Sequence, residues 1–530
     1  MANRGFTRRE MLRWMESGLI ASVLGGSRLA LAAGTSRPVD LAVYGGTPSG
    51  CMAALAAARA GLEVVLLEPS ARIGGMATGG LGLTDVGRRT VIGGLTREYY
   101  QVSERYYGSP KWDLEPHFAL ATFHALLREA KVTVQHNKAL RETGGVSKSG
   151  TEIHALQFVD GTTLKARYFI DASYEGDLLA QAGVRHHIGR ESASEFNESW
   201  AGVRLYTEKH YVHLNPYDSD GKLLPEISPN PLPPLGSGDK RLMAYNFRLC
   251  LTNDPKNRVA FPRPPGYDPH RYALLARLLQ SSTHPNLNSV LKVSPIPNNK
   301  FDLNNQGFFS TDYIGGGSSA YPTASYRDRA HLWQQHYNYQ AGLLYFLAND
   351  SGIPDSVRAQ IADLGLAKDE FTESDNWPTQ LYVREARRME GVYTMTQADV
   401  TTHLDKIDPI GMGSYQADSH DMQRIVLAPN VLVVEGGMFE HVEPYSIPYR
   451  SILPKPEDAT NLLVPVCLSV SHVAFCTIRM EPQWMILGEA AGVAVAQAIH
   501  QKAPLHYLDT KSLTAALHKN GAVLKASDIA

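Results

Sequence analysis

From residue 40 the chain sets short apolar runs between glycine turns and helical spacings. Residues 40–44 are an apolar run, Gly45-Gly46-Thr47-Pro48-Ser49-Gly50 is a tight turn, and small and apolar residues then continue to Ala60. Residues 62–67 are a second apolar run, closed by Glu68. Continuous apolar runs between turn signals predict buried parallel strands, and the Ala-rich stretch between them predicts a helix lying close on their sheet. Further on, residues 115–130 carry a helical pattern and 132–136 a strand pattern. Residues 153–158 and 163–169 bracket Asp160-Gly161, a hairpin signal. Residues 331–349 predict a helix with Leu332, His336, Tyr339, Leu343 and Phe346 on its core side. Residues 461–467 read as a buried strand that rejoins the first sheet. Residues 480–500 read as a helix in which Ala490, Ala491, Gly492 and Ala494 permit close packing.

At 530 residues the chain exceeds one typical core, so more than one domain is expected. The texture divides it. Residues 37–183 hold the strand–turn–helix unit, and 184–380 are crowded with proline, asparagine and aromatics. Residues 381–460 return toward the first unit, 461–505 complete it, and 506–530 form a tail. The middle stretch reads as an inserted substrate domain with long ordered loops, because its aromatic density argues against disorder. A hydrophobic content of 43% and a net charge of −2 describe an ordinary globular protein. The basic residues are dispersed, so nucleic acid is not an expected partner. Cys51, Cys250, Cys467 and Cys476 lack zinc or iron–sulfur spacing, and no metal is expected. Cys467 and Cys476 read as buried thiols, with a bond between them left open.

The N-terminus reads as a targeting segment. Thr7-Arg8-Arg9-Glu10-Met11-Leu12-Arg13 resembles a twin-arginine export motif, and Ala30-Leu31-Ala32 suits signal peptidase. Gly25, Gly26, Ser27 and Arg28 interrupt the apolar run, so no stable membrane span is expected. Residues 1–32 are thus expected to engage the twin-arginine export machinery, which carries folded proteins to the periplasm.

The turn at 45–50 carries the first chemistry. Backbone N–H groups at a helix start hold a pyrophosphate, so Gly45, Gly46, Thr47, Pro48, Ser49 and Gly50 are candidate cofactor contacts. Glu68 is placed to bond ribose hydroxyls and disfavours a 2′-phosphate, which leaves FAD or NAD ahead of NADP. Thr47 stands where the fingerprint's middle glycine belongs, so the loop must tolerate a Cβ. After Glu68 come Arg72, Gly74, Gly75 and Met76, an acid–Arg–Gly-Gly order that resembles the flavoprotein pattern and points to FAD.

On these blocks the chain is identified as resembling the FAD-dependent oxidoreductase family within the glutathione-reductase-like flavoproteins. Residues 169–177, Arg384-Glu385-Ala386-Arg387-Arg388, Ser419-His420-Asp421, Ile447-Pro448-Tyr449-Arg450, Ser471-His472 and the stretch from Ile478 to Gly492 carry the likeness over most of the chain. The resemblance implies an α/β fold, a Rossmann-like FAD-binding domain with a parallel sheet interrupted by an α+β substrate domain. It implies that Asp171 and Ala172 lie beside FAD, that Val134 offers its backbone near the adenine, and that Glu489 bonds the ribitol. The start of the C-terminal helix would face the flavin's pyrimidine edge, with Arg479 adding positive charge there; an ion pair with Glu481 or another acid is the alternative for Arg479.

A flavin oxidoreductase also needs a base, and histidine titrates near working pH. His420, beside Asp421, and His472 are the candidates. Arg384, Arg388 and Arg450 are candidates for binding a carboxylate or vicinal hydroxyls, with Tyr449 beside the last; residues 384–388 read equally as a solvated helix face. The expected activity is oxidation of a small polar alcohol, sugar derivative or carboxylated compound by hydride transfer to flavin N5, with the electron acceptor open. A flavin lyase or isomerase without net redox change, and a noncatalytic flavoprotein binding a glycan or partner, are the alternatives.

Overall fold

The computed structural model describes residues 37–207, 210–402 and 406–529. The stretch read as an export signal, residues 1–32, lies outside them. The first apolar run is β1 (Val39–Tyr44), the glycine turn enters α1 (Pro48–Arg59), and the second run is β2 (Val64–Leu67). Thr47 caps α1: its hydroxyl accepts from Gly50 N–H, and Pro48 fills the first helical turn, where a missing N–H costs nothing. Then come α2 (Gly75–Thr78), α3 (Gly94–Val102), α4 (Pro116–Glu129) and the edge strand β3 (Thr133–Gln135). β4 (Val146–Ser149), β5 (Glu152–Gln157) and β6 (Thr163–Asp171) form an antiparallel meander, and Gly161 takes the left-handed turn position between the last two, φ 83°.

The resulting sheet runs β3-β2-β1-β6-β5-β4. β1 pairs in parallel with both β2 and β6, which puts the glycine turn at the C-terminal edge of the parallel strands. Of the strand expected over 461–467, only β7 (Leu462–Leu463) joins the ladder, parallel to β6. β6 ends at Asp171, and Val464 N–H turns away to Ile452 O at 2.9 Å.

A separate five-stranded antiparallel sheet occupies the proline-rich stretch, ordered Arg258–Val259, Gly365–Ala367, Leu249–Thr252, Lys300–Asn305 and Leu291–Ile296. The helix expected at 331–349 is α5 (Tyr326–Asn349), which starts earlier because Ser325 caps it through Asp328 N–H. His336, Tyr339, Leu343 and Phe346 are buried in it, as core.

Near the C-terminus the helix expected over 480–500 is α7 (Glu481–Gln501), and a short helix that was not expected, α6 (His472–Ile478), precedes it. Pro482 in the first turn of α7 lacks the N–H needed to continue α6. α7 lies directly on α1. A Cβ on Gly488 would stand 2.0 Å from Ser49 O, and one on Gly492 2.3 Å from Ala53 O. Backbone-to-backbone contact of this kind fixes α1, which the glycine turn opens, against the middle of α7. Among the described residues no helix is long and apolar enough to cross a membrane.

Candidate functional site

Two glycine loops face each other across the ends of β1 and β2. In the first, Gly45 has φ 95°, and a Cβ there would stand 2.6 Å from Ser173 N. Gly50 has an ordinary φ, yet its Cβ would stand 1.9 Å from Gly45 O. In the second, Gly74 and Gly75 adopt φ 89° and 45°. Gly74 N–H donates to Gly46 O and so ties the two loops together. Glu68 closes the arrangement: Oε2 accepts from Gly46 N–H at 2.7 Å and Oε1 from Ser70 N–H at 2.7 Å. Thr47 answers the question of the missing glycine. Its hydroxyl donates to Ala172 O at 2.7 Å, so its side chain points to the returning strand.

The structure therefore brings together Gly45 to Gly50, Glu68, Gly74, Gly75, Met76 and Ala172. Val134 sits on the edge strand, paired with Leu66 two residues before Glu68. Three other expected contacts have different partners. Asp171 is buried with both carboxylate oxygens occupied, Oδ1 by Ser173 N–H and Oγ–H at 3.0 and 2.6 Å, Oδ2 by Leu179 N–H at 2.7 Å. Arg72 donates to Thr78 O and to Glu373 and lies over Phe371. Glu489 Oε2 accepts from Leu95 N–H at 2.7 Å and so caps α3, where Gly94 leaves room for it, while Oε1 is buried without a partner. Each carboxylate or guanidinium shapes the surroundings of the loops.

Tests of fit come from atoms with no protein partner. Ser49 Oγ in the glycine turn, Glu481 Oε2 and both amide atoms of Gln483 in the first turn of α7 are buried and make no hydrogen bond. Buried polar groups are nearly always paired, so a polar ligand is the natural partner. Glycines that admit no Cβ, an acid at the end of the second strand and these orphaned groups together suit a dinucleotide.

A second cluster lies where α6 gives way to α7. Arg479, between the two helices, donates to Asp418 O from Nε and Nη2 at 3.2 and 2.8 Å. Its carboxylate partner is Asp418, 3.3 Å away, and not Glu481. Arg384, wholly buried, stands 3.0 Å from Asp312 Oδ1 and lies over the Tyr382 ring. Asn246 Nδ2 also donates to Asp312 Oδ1, at 2.9 Å. Asp312 Oδ2 meets His420 Nδ1 at 2.7 Å. Burial and the Arg384 guanidinium push the His420 pKa below its ordinary value against the pull of Asp312 and Asp418. A neutral ring then donates from Nδ1 to Asp312 and leaves a lone pair on Nε2. Asp418 Oδ2, at 3.8 Å, is beyond hydrogen-bond range of that nitrogen. The His420 side chain is 10% exposed, so the nitrogen can be reached.

The residue that orients His420 is thus Asp312, from the loop-rich stretch, rather than the adjacent Asp421. Asp421 carries a buried, unpartnered Oδ1, and burial and nearby Asp312 raise its pKa to about 7. His472 is differently placed. It starts α6, with Nδ1 2.9 Å from Glu385 Oε1 and its N–H on Glu191 Oε2 at 2.9 Å. Cys476 and Glu385 raise its pKa to about 10 despite burial, so the ring stays protonated. Arg388 closes this group with Glu191 and Glu385. Arg450 is elsewhere, paired with Asp408 at 3.0 Å and over Tyr393, while Tyr449 O–H donates to Leu505 O. All four cysteines are free and buried. Glu115, His117 and Glu370 also converge; His117 Nδ1 meets Glu370 Oε1 at 2.6 Å, and the ammonium of Lys300 lies 2.7 Å from both Glu115 and Glu370.

Sequence reasoning missed Asp312, Asn246, Asp418 and Tyr382, because only the tertiary fold gathers them. Glu481 and Tyr174 lie inside the family-like stretches 478–492 and 169–177, where burial without a cation leaves no mark in the sequence.

The paired loops and the acid-ended strand define a dinucleotide-binding protein of the flavin type. The sequence matches the FAD dependent oxidoreductase family over residues 40–517, and the chain belongs to that family. It is an FAD enzyme. No curated protein matches it. Among solved structures it is similar to THI4 of Thermovibrio ammonificans, at 21% identity over 28% of this chain and 64% of that one, TM-score 0.22. It is also similar to L-proline dehydrogenase of P. horikoshii, at 15% identity over 29% of this chain and 59% of that one, TM-score 0.24. A third likeness is to a flavin-containing monooxygenase of Stenotrophomonas maltophilia, at 20% identity over 29% of this chain and 42% of that one, TM-score 0.19. The chain thus spans less than two thirds of the length of each of these proteins.

Proposed function

We propose that this protein oxidises a small polar organic molecule, an alcohol, sugar derivative or carboxylated compound, with His420 as the base. FAD, when bound, supplies a hydride acceptor at N5. The observation that carries the reading is the Asp312–His420 pair beside two buried guanidiniums. Asp312 holds the imidazole tautomer, and Nε2 receives the substrate hydroxyl proton as the carbon-bound hydrogen leaves with its electron pair. Arg479, at the positive end of α7, and Arg384 supply potential that favours an anionic group in the slot. Gly45 to Gly50, Glu68 and Gly74 to Met76 would hold the nucleotide.

The test is an anaerobic screen of holoprotein against polyols, sugars and hydroxy acids. Lasting loss of the flavin's visible absorbance with one donor supports the reading, while turnover without lasting bleaching favours the lyase or isomerase. The Arg8-Arg9 motif supports twin-arginine export to the periplasm. A fusion carrying residues 1–40 would leave the cytoplasm, and an Arg8→Lys, Arg9→Lys version would stay there.

A further inference from the structure

The loop-rich middle of the chain forms a cavity of about 340 Å³, within the range of small-molecule sites, about 300–1,000 Å³. None of its lining residues belongs to the nucleotide loops or to the His420 cluster. Glu226 and Arg271 form its polar wall, with Arg271 Nε donating to Glu226 Oε1 at 2.9 Å. Arg271 is fixed on its other side as well. It donates from Nη2 to the hydroxyl of Tyr313, the residue after Asp312, and its guanidinium lies over the Tyr313 and Tyr339 rings, 4.7 and 5.3 Å from their centroids. Glu226 holds φ 68°, a left-handed value that glycine adopts far more readily. A glutamate kept at such a position points to a task for its side chain.

These groups keep hydrogen-bonding capacity that the chain leaves unused. Among the described residues Glu226 Oε2 accepts no hydrogen bond and Arg271 Nη1 donates none. Asn338, on α5, gives its Oδ1 to Gln334 Nε2 at 2.7 Å, and its Nδ2 is without a partner among them. One space therefore collects a carboxylate acceptor beside guanidinium and amide donors. Pro264 and Tyr267 supply an apolar wall, and the Tyr267 ring is held edge-on against Tyr345, with centroids 5.1 Å apart.

Charge narrows the ligand. Glu226 and Arg271 neutralise one another, and Asp268 at the rim adds a negative charge, so an anion is disfavoured. A cation would have to compete with Arg271 for Glu226. A neutral sugar matches both walls: adjacent hydroxyls each donate and accept, and the C–H face of the ring packs on tyrosine and proline.

We propose that this cavity is a second, noncatalytic site that binds a neutral sugar unit, its hydroxyls on Glu226, Arg271 and Asn338 and its C–H face on Tyr267. The proposal does not depend on the redox reading of the His420 cluster.

The experiment titrates holoprotein with maltose, cellobiose, lactose and mannobiose by calorimetry, with glucuronic acid and a decaproline peptide as comparison probes. Wild type should bind at least one disaccharide with Kd of about 1 mM or tighter, and glucuronic acid at least tenfold more weakly. Y267A and N338A should each weaken the disaccharide about tenfold or more, and E226Q comparably, while H420Q stays within about twofold of wild type. Asn338 has a single side-chain hydrogen bond, so N338A reports even if Y267A or E226Q fails to fold. Four results would overturn the proposal: no disaccharide binding tighter than about 10 mM, wild-type affinity in N338A and Y267A, loss of binding in H420Q alone, or binding of decaproline in place of the sugars. Flavin bleaching by a sugar that continues unchanged in Y267A and N338A concerns the His420 site, so the two readings fail separately.

Discussion

Replacing Gly50 by alanine isolates the nucleotide cradle from every other feature of the site. Alanine is normally the better helix residue, worth about 1 kcal/mol over glycine in a helix interior, and Gly50 has an ordinary φ, so propensity alone predicts stabilisation. The surroundings reverse that sign. The new Cβ would stand 1.9 Å from Gly45 O, so atoms must separate by more than about 1 Å to reach ordinary contact. Gly45 cannot yield freely: its N–H donates to Leu67 O at 2.8 Å, and its own Cα faces Ser173 N. Overpacking of this kind costs about 1–3 kcal/mol, so G50A should lose up to roughly 2 kcal/mol net, where propensity alone predicts a gain. Displacing Gly45 and Gly46 also distorts the turn that would hold the pyrophosphate, and FAD affinity should fall about ten- to hundredfold, or ~1.4–2.8 kcal/mol. Thermal melting of the apoprotein and titration with FAD by flavin fluorescence measure the two effects. G183A is the control, since Gly183 has φ 72° and nothing within 4 Å of its Cβ position. It should lose about 1 kcal/mol or more of stability and keep FAD affinity. A G50A protein as stable as wild type, with affinity within about twofold, would refute the cradle geometry.

With a donor that bleaches the flavin, H420Q should slow anaerobic flavin reduction about 10²- to 10⁴-fold while leaving FAD affinity intact, as stopped-flow absorbance would show. D312N should slow it comparably and also cost about 3–5 kcal/mol, read by melting, because it leaves the buried Arg384 charge unpaired. H472Q should instead act on stability, losing about 3 kcal/mol because buried Glu385 loses its imidazolium partner, with reduction within about threefold of wild type. Above about pH 7, where buried histidines such as His336 and His420 are neutral folded and unfolded alike, the apoprotein should become less stable as pH rises to about 9. Burial raises the carboxyl pKa values of Asp171 to about 6, Glu489 to about 7, Asp421 to about 7 and Glu481 to about 8. The folded state then holds protons that the unfolded chain has already released, so stability falls as pH climbs through those values. His472, raised to about 10, acts in the same direction: its contribution is full below about 6.5 and lost through about 10. Melting temperatures that rise across this range would contradict the assignment.

The nucleotide fold was legible because its signals are local. A glycine turn between apolar runs, an acid closing the second run and a glycine pair after it all lie within residues 40–76, and strand and helix periods tie each to its element. Asp160-Gly161 likewise marked its hairpin without help from the rest of the chain. Thr47 looked like a defect because sequence shows only that a Cβ is present, whereas the backbone directs its hydroxyl to Ala172 O. The candidate catalytic cluster was only half legible. Arg479 and His420 stood out as residue types, but the acid that orients His420 is 108 positions away, in a loop with no periodic signal. Asp421 was the natural sequence neighbour and the wrong spatial one. Asp171, Arg72 and Glu489 show the converse limit, since a charged residue beside a cofactor loop can serve the loop's own scaffold.

The most direct measurement is the rate of anaerobic flavin reduction by a bleaching donor, taken across pH in wild type and H420Q. Wild type should gain rate as pH rises through a single ionisation below about 6.5, and H420Q should be slow with that step gone. Equal rates and identical pH profiles in the two proteins would remove His420 from the chemistry and with it the proposed mechanism.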